Sequence, residues 1–272
     1  MRRALERVGF GFAVLVMTSP AALVFLWMLS LSLKTEIDNI AFPPVFIPNS
    51  PTFDNFRAVF ERNDFLNQAW NSIVVSFGAT AIALAVGIPA GYGIAKMRAT
   101  KAAVLILIAR ITPGLSYLIP LFLLFQWVGL TGTLWPIVIT HLVLTVPISV
   151  WVMIGFFESL PPELEEAALV DGATIWQAFR HVALPLARPG ITVATILAFI
   201  FSWNNFIFAM VLAGRETRTL PVAVNNMLTF EQISWGPLSA AALLVTLPVL
   251  VLTLVAQKQI VAGLTQGGVK GG

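Results

Sequence analysis

The sequence predicts an all-α integral membrane protein with six transmembrane helices, both termini cytoplasmic, and one long cytoplasmic excursion between the fourth and fifth spans. Three observations carry that expectation. Of 272 residues, 58% are hydrophobic and 11% charged, and the mean hydropathy is +0.88. Soluble domains carry about a quarter charged residues, more than this chain could spread over a globular surface. The apolar residues form runs long enough to cross a bilayer, which takes about 20 residues of helix. Lys and Arg collect at alternate ends of those runs.

The first span covers about residues 8–33. Its start, MRRALERVGFGFAVLVM, places charge before an apolar run as a secretory signal would. The run continues through Leu33 to Lys34, beyond the roughly 7–15 residues of a signal core, so a retained span is expected. Residues 34–68 hold five acids, three bases and FPPVFIPNSP, an external loop with a short interfacial helix at FRAVF. The second span, about 69–95, ends in KMRATK, and the third covers about 102–128. After a short turn the fourth runs over about 134–157, and residues 158–190 form the excursion. The fifth and sixth cover about 191–213 and 236–256. No internal repeat or Ser/Gly-rich linker divides the chain, so residues 1–272 read as one membrane domain.

Orientation follows from the basic residues. Arg2, Arg3, Arg7, Lys96, Arg98, Lys101, Arg180, Arg188, Lys258 and Lys270 fall on the side of the N-terminus. Lys34, Arg57, Arg62, Arg215 and Arg218 fall on the other, and ten against five puts both termini inside. Trp27, Trp70, Trp127, Trp135 and Trp235 lie near external span ends, where indoles favour the interface.

Asp and Glu are absent from all six spans, and Arg110 is the only Lys or Arg within one. Ion-coupled carriers commonly keep carboxylates in the membrane, and charged filters need rings of them. The sequence pI is near 9.6, but no basic cluster interleaves with aromatics, so nucleic acid is not a partner. Cysteine is absent, which excludes disulfides, thiol nucleophiles and Cys-ligated metal. The only histidines are His141 and His181, without H-E-x-x-H, a nucleophile elbow or a phosphate-binding G-x-x-x-x-G-K-[ST]. Any uphill transport must draw its energy from another chain.

Pro89, Pro113, Pro120, Pro136, Pro147 and Pro248 interrupt the spans, each freeing a backbone carbonyl. Taken singly they are kinks; together they suit a bundle with moving parts. Polar groups at depth are Arg110, Tyr117, Gln126, His141 and the run Trp203-Asn204-Asn205, the candidate translocation path. An unsatisfied amide in hydrocarbon costs several kcal/mol, so the Asn pair must face protein, water or ligand. Indole plus amides suits sugar faces and hydroxyls; interhelical bonding without a ligand is the equal alternative. Arg110 lies roughly 12 Å deep by helical rise, and it either snorkels or pairs with a carbonyl, or else lines the route.

In 159-SLPPELEEAALVDGATIWQAFRHVALPLARPG-190, two prolines can open a helix whose positive end Glu163, Glu165 and Glu166 complement. Leu164, Ala167 and Ala168 share one face, and Asp171-Gly172 ends the helix. Ile175, Phe179 and Val182 repeat at i, i+4, i+7 before Pro185 and Pro189. Membrane-surface helices prefer basic polar faces. This hairpin starts with three acids, so it reads as a knob for a protein socket.

Glu166-Ala167-Ala168, Gly172 and Val182-Ala183-Leu184-Pro185 resemble the EAA loop, E-A-A-x3-G-x9-I-x-L-P, of permease subunits in ATP-binding-cassette (ABC) importers, with Val for Ile. SLK (32–34), TFDNFRAVF (52–60), WNNF (203–206), TLPVA (219–223) and GLTQGGVKG (263–271) are similar to the carbohydrate-importing branch for maltose, trehalose and glycerol-phosphate. The resemblance implies an ABC type I importer permease fold in the bacterial cytoplasmic membrane, with a coupling helix in the EAA loop. It implies a second homologous permease subunit, two ATP-binding subunits that hold ATP and Mg, an extracytoplasmic sugar-binding protein and a sugar substrate. This chain would carry no cofactor, metal or catalytic residue of its own. Glu165, Glu166, Ala167, Ala168, Asp171, Gly172, Leu184 and Pro185 would couple to the ATPase, with Glu166 as the charged contact and Gly172 as the elbow. Residues 214–235 would meet the binding protein, and the GLTQGGVKG tail would reach between the ATPases. The alternatives are a stand-alone carrier or facilitator, and a non-conducting ATPase-docking scaffold.

Overall fold

A bilayer offers backbone amides no water, so a chain this apolar must satisfy them inside helices. The computed structural model describes residues 2–62, 64–111, 114–228 and 234–268. Side chains at 2–9, 12, 62, 110, 256 and 258–268 lie outside that description, as does Pro113. Every regular element described is helical. In order they are α1 (Arg2–Ser32), α2 (Glu36–Asn39), α3 (Asp54–Arg62), α4 (Phe65–Lys96) and α5 (Thr100–Ile111). A 3-10 turn (Gly114–Tyr117) leads into α6 (Leu118–Trp127), followed by α7 (Trp135–Ser159), α8 (Pro162–Val170) and α9 (Ile175–Ala178). A π-helical turn (Phe179–Ala183) joins α9 to α10 (Leu184–Leu186). Then come α11 (Arg188–Trp203), α12 (Ile207–Leu212), α13 (Leu220–Asn225) and α14 (Trp235–Gly268).

Four stretches are long and apolar enough to cross a membrane alone: 13–32 of α1, α4, α7, and 235–255 of α14. Two bent pairs, 100–109 with 114–127 and 175–186 with α11, reach that length only jointly. The fifth apolar run is divided as well. It stops at Trp203 and restarts at Ile207, where Asn205 Oδ1 accepts the Phe208 N–H at 3.2 Å. Pro89, Pro147 and Pro248 sit inside helices, as does Pro20. Pro120 and Pro136 instead lie in the first turns of α6 and α7, where no intrahelical bond is lost, so these two start helices rather than interrupt them.

The chain divides into two compact units, 1–66 with 223–248 and 67–222 with 249–272. In the first, Asn55 Nδ2 donates to the carbonyls of Ser32 (2.9 Å) and Lys34 (2.7 Å), closing groups left open at the end of α1. Lys34 is 1% exposed with its ammonium 4.3 Å above the Trp27 ring. Burial lowers its pKa, partly offset by Asp38. Trp235 N–H reaches Glu36 Oε1 at 3.4 Å.

The second unit is built on α7, over half of whose residues are buried, with α4, α5, α11 and α12 against it. Small and short polar residues line the buried face of α4: Ser72, Ser76, Ala79, Thr80 and Ala83. Gly87 and Gly91 continue the stripe, and a Cβ there would lie 2.8 Å from Ser149 Cβ and 2.6 Å from Met153 Cβ of α7. Such close backbone approach is how apolar helices gain packing where lipid removes the hydrophobic incentive. Buried hydroxyls on α7 bond back along the helix, Thr140 to Pro136, Thr145 to His141 and Ser149 to Thr145. One core cluster, including Val75, Leu118, Phe125, Ile137 and Phe208, lies toward one end of the unit. A second, with Tyr92, Met153, Phe157, Phe179, Ala183 and Ala194, lies toward the hairpin.

Candidate functional site

The hairpin of residues 158–190 is assembled from strong local signals. Leu160 and Pro161 leave α7 in extended backbone, and Pro162 opens α8 with Glu163 and Glu165 in its first turn. After Asp171 the helix closes as a Schellman turn. Gly172 N–H donates to Leu169 O (3.1 Å) and Ala173 N–H to Ala168 O (3.0 Å), with Gly172 at φ +91°. Thr174 and Gln177 then cap each other, at 3.3 and 2.7 Å, and start α9. The π turn and α10 follow, and α11 departs at 74° to segment 175–186.

These elements sort the expected coupling residues. Glu166, Ala167, Asp171, Gly172 and Pro185 are exposed, and Ala168 and Leu184 are half-buried. Glu165 is not on that surface. It is 5% exposed, and its Oε2 accepts the Tyr92 hydroxyl at 2.7 Å and lies 3.1 Å from Lys96 Nζ. A hydrogen bond to a charged group contributes roughly 1.5–3 kcal/mol, and stripping partners from a buried carboxylate costs about 3–5 kcal/mol. The outer face of the hairpin carries exposed Leu164, Leu169, Val170, Ile175 and Trp176. Of the expected apolar repeat, Phe179 is buried and Val182 half-buried, while Ile175 stays outside. An exposed apolar group rimmed by Glu166, Asp171 and Arg180 has the make-up of a protein-docking surface. Beside α8 a cavity of about 810 Å³ is lined by Lys96, Arg98, Trp151, Glu158 and Glu166 among others.

The expected path residues are only partly gathered. His141 is buried with Nδ1 2.7 Å from Ser202 Oγ. Its ring, the Tyr117 ring (6.1 Å, stacked) and the Asn205 amide converge on Phe208. Trp203 is 3% exposed and stacks on Phe199 at 5.4 Å, within the core. Asn204 and Gln126 are exposed, and the Arg110 side chain lies outside the described residues. Among the described residues, no three His, Asp or Glu side chains converge as metal ligands would.

The sequence reading missed Tyr92 and Lys96, the partners of Glu165, and a clamp on the segment 214–220. Asn71 Nδ2 donates to the carbonyls of Glu216 (2.8 Å) and Arg218 (3.0 Å), and Asn67 also donates to Glu216. Ser72 Oγ accepts the Leu220 N–H at 2.8 Å. The i, i+4 pair of Asn67 and Asn71 at the start of a long, mainly apolar helix was the available signal. Residues 229–233 and the side chains of the GLTQGGVKG tail lie outside the described residues.

Residues 83–266, which include the whole hairpin, match the family described as binding-protein-dependent transport system inner membrane component. The chain belongs to that family. This permease is 38% identical over 258 residues to the trehalose transport system permease protein SugB of Mycobacterium tuberculosis, covering 92% of this chain and 93% of that one. It is 32% identical over 250 residues to the sulfoquinovosyl glycerol transport system permease protein SmoH of Agrobacterium fabrum, covering 90% and 88%. Its fold is similar to that in a crystal structure of a bacterial ABC transporter that imports the acidic polysaccharide alginate. The TM-score is 0.74 at 23% identity, over 94% of this chain and 95% of that one. The permease is therefore a multi-pass, non-enzymatic subunit of an ABC importer in a bacterial inner membrane. A similar fold, at TM-score 0.65, occurs in an alginate ABC transporter complexed with a substrate-bound periplasmic protein.

Proposed function

We propose that this permease imports a sugar or sugar derivative, and that ATP-driven force enters it through the hairpin face of Glu166, Ala167, Ala168, Asp171 and Gly172. The observation that carries the reading is the exposed, acid-rimmed apolar face of α8 and α9 outside the spans. Two ATPase subunits holding ATP and Mg would seat this hairpin and its counterpart on a second homologous permease. An extracytoplasmic binding protein would deliver the sugar. Support for a carbohydrate comes from relatives named for trehalose, sulfoquinovosyl glycerol and diacetylchitobiose transport, at 31–38% identity. Leu184 and Pro185 would carry movement from the hairpin toward α11, and Glu165 would hold α8 from within. Tyr117, His141, Trp203, Asn204 and Asn205, with Arg110 and Gln126, would flank or position the route. The break between α11 and α12 lies among them.

Glu166→Arg tests the docking role. Placing a cation on the acid-rimmed face should lower co-purification of the ATPase at least tenfold and abolish ATP-driven uptake in proteoliposomes. Full uptake by this variant would remove the assigned surface. The cargo is tested separately, by screening disaccharides, polyols and anionic sugars for binding to the partner binding protein.

A further inference from the structure

Three acids begin the α8 region, and only one turns inward. Glu163 and Glu166 are exposed, while Glu165 is buried against α4. A lone buried carboxylate is strongly disfavoured. Here Tyr92 OH and Lys96 Nζ, one helical turn apart on α4, meet the same Oε2 at 2.7 and 3.1 Å. Lys96 keeps a side-chain exposure of 39%, so the buried partner of Glu165 is Tyr92, itself 8% exposed.

The Tyr92 end is braced. Its ring centroid lies 5.2 Å from Phe157 at the end of α7 and 4.7 Å from Phe179 in the π turn. The preceding residue, Gly91, brings the α4 backbone against Met153 of α7 so closely that no Cβ fits. Tyr92 therefore stands where α4, α7 and the return from the hairpin are packed as one node. The covalent chain ties α8 to α7 and, through α9 and α10, to α11. It gives α8 no direct tie to α4, 73 residues away in sequence at this contact.

We propose that the Tyr92–Glu165–Lys96 contact is a strut that makes α4 move with the coupling helix α8, with Tyr92 and Glu165 as its positioning residues. The inference rests on the docking role given to the hairpin. A push on α8 then reaches α4, which packs along α7, as well as the helices that α8 joins in sequence. Without the strut, α8 can be displaced while α4 stays behind, and ATP is hydrolysed without completing a transport cycle.

The test uses the complete transporter in proteoliposomes, with both permeases, ATPases and binding protein, and reads ATP hydrolysed per solute imported. That ratio is unmoved by partial unfolding, because lost molecules remove hydrolysis and uptake together. Tyr92→Phe deletes only the hydroxyl and leaves the ring in its node. It should retain ATPase binding and hydrolysis within about twofold, while ATP spent per solute rises about tenfold, the scale of one charge-assisted hydrogen bond. Glu165→Leu, which has no acceptor for the Tyr92 hydroxyl, should raise the ratio at least as much, and Tyr92→Phe/Glu165→Leu should be no worse than Glu165→Leu alone, since Tyr92→Phe removes an interaction already lost there. A normal ratio in Tyr92→Phe, or effects that multiply in the double variant, would overturn the strut. Failure of the docking surface is read elsewhere, as full uptake by Glu166→Arg.

Discussion

At the scale of single residues, Gly172 isolates one physical effect. Its φ of +91° is a conformation that L side chains rarely adopt, yet a Cβ there would meet nothing within 4 Å. The penalty of Gly172→Ala is thus conformational, not steric, about 1–2 kcal/mol for a left-handed residue. It falls on the turn that aligns α8 with α9. Binding of purified ATPase to the reconstituted permease should weaken about 5–30-fold, the ratio such an energy sets. Gly172→Asn should lose less, because Asn tolerates this turn position. Equal losses in both variants would place the requirement in the side chain's absence at the docking surface instead. Gly190 is the steric contrast, since a Cβ there would run into the Phe156 ring.

Among elements, the α4–α7 pair sets what the bundle tolerates. Gly87 and Gly91 are spaced so that both face α7, and Gly91→Val would drive a branched side chain into Met153. Overpacking of this kind costs about 1–3 kcal/mol, so the detergent-solubilised protein should melt several degrees lower. Gly93→Ala, where nothing lies within 4 Å, should leave the midpoint unchanged. Equal melting of the two variants would mean that α4 and α7 are not held at this spacing. The helices of this pair were legible in the sequence because long apolar runs can satisfy their amides in no other way. The hairpin was legible because caps, Gly172 and the EAA spacing are local signals. What stayed hidden depends on contacts remote in sequence. Neighbouring helical residues point about 100° apart, so one of Glu165 and Glu166 could turn inward, but only Tyr92 on α4 decides which. The Trp203–Asn205 run marked a polar place in the fifth span without revealing a helix break. Phe208, on which Tyr117, His141 and Asn205 converge, looked like any apolar residue.

For the whole molecule, the two bent helix pairs make topology a matter of parity. α1, α4, α7 and 235–255 of α14 can each cross alone, whereas 100–127 and 175–203 are bent segments. If 100–127 dipped into the membrane and returned, α7 would start inside and end outside, carrying the hairpin of Glu166 away from any cytoplasmic ATPase. Crossing by this segment is therefore required for the docking surface to work, and ten basic residues against five favour the same frame. By the same count α11 and α12 must together cross outward. α11 alone, with 16 residues, extends only about 24 Å of the roughly 30 Å needed, and α12 makes up the difference. The absence of cysteine makes the prediction directly measurable, because each introduced thiol is the only one in the chain. Ser50→Cys and Thr131→Cys should react with a membrane-impermeant maleimide added outside intact spheroplasts. Ala99→Cys and His181→Cys should react only after permeabilisation. Outside labelling at position 181, with protection at 131, would identify 100–127 as re-entrant and remove both the six-span frame and the coupling role built on it.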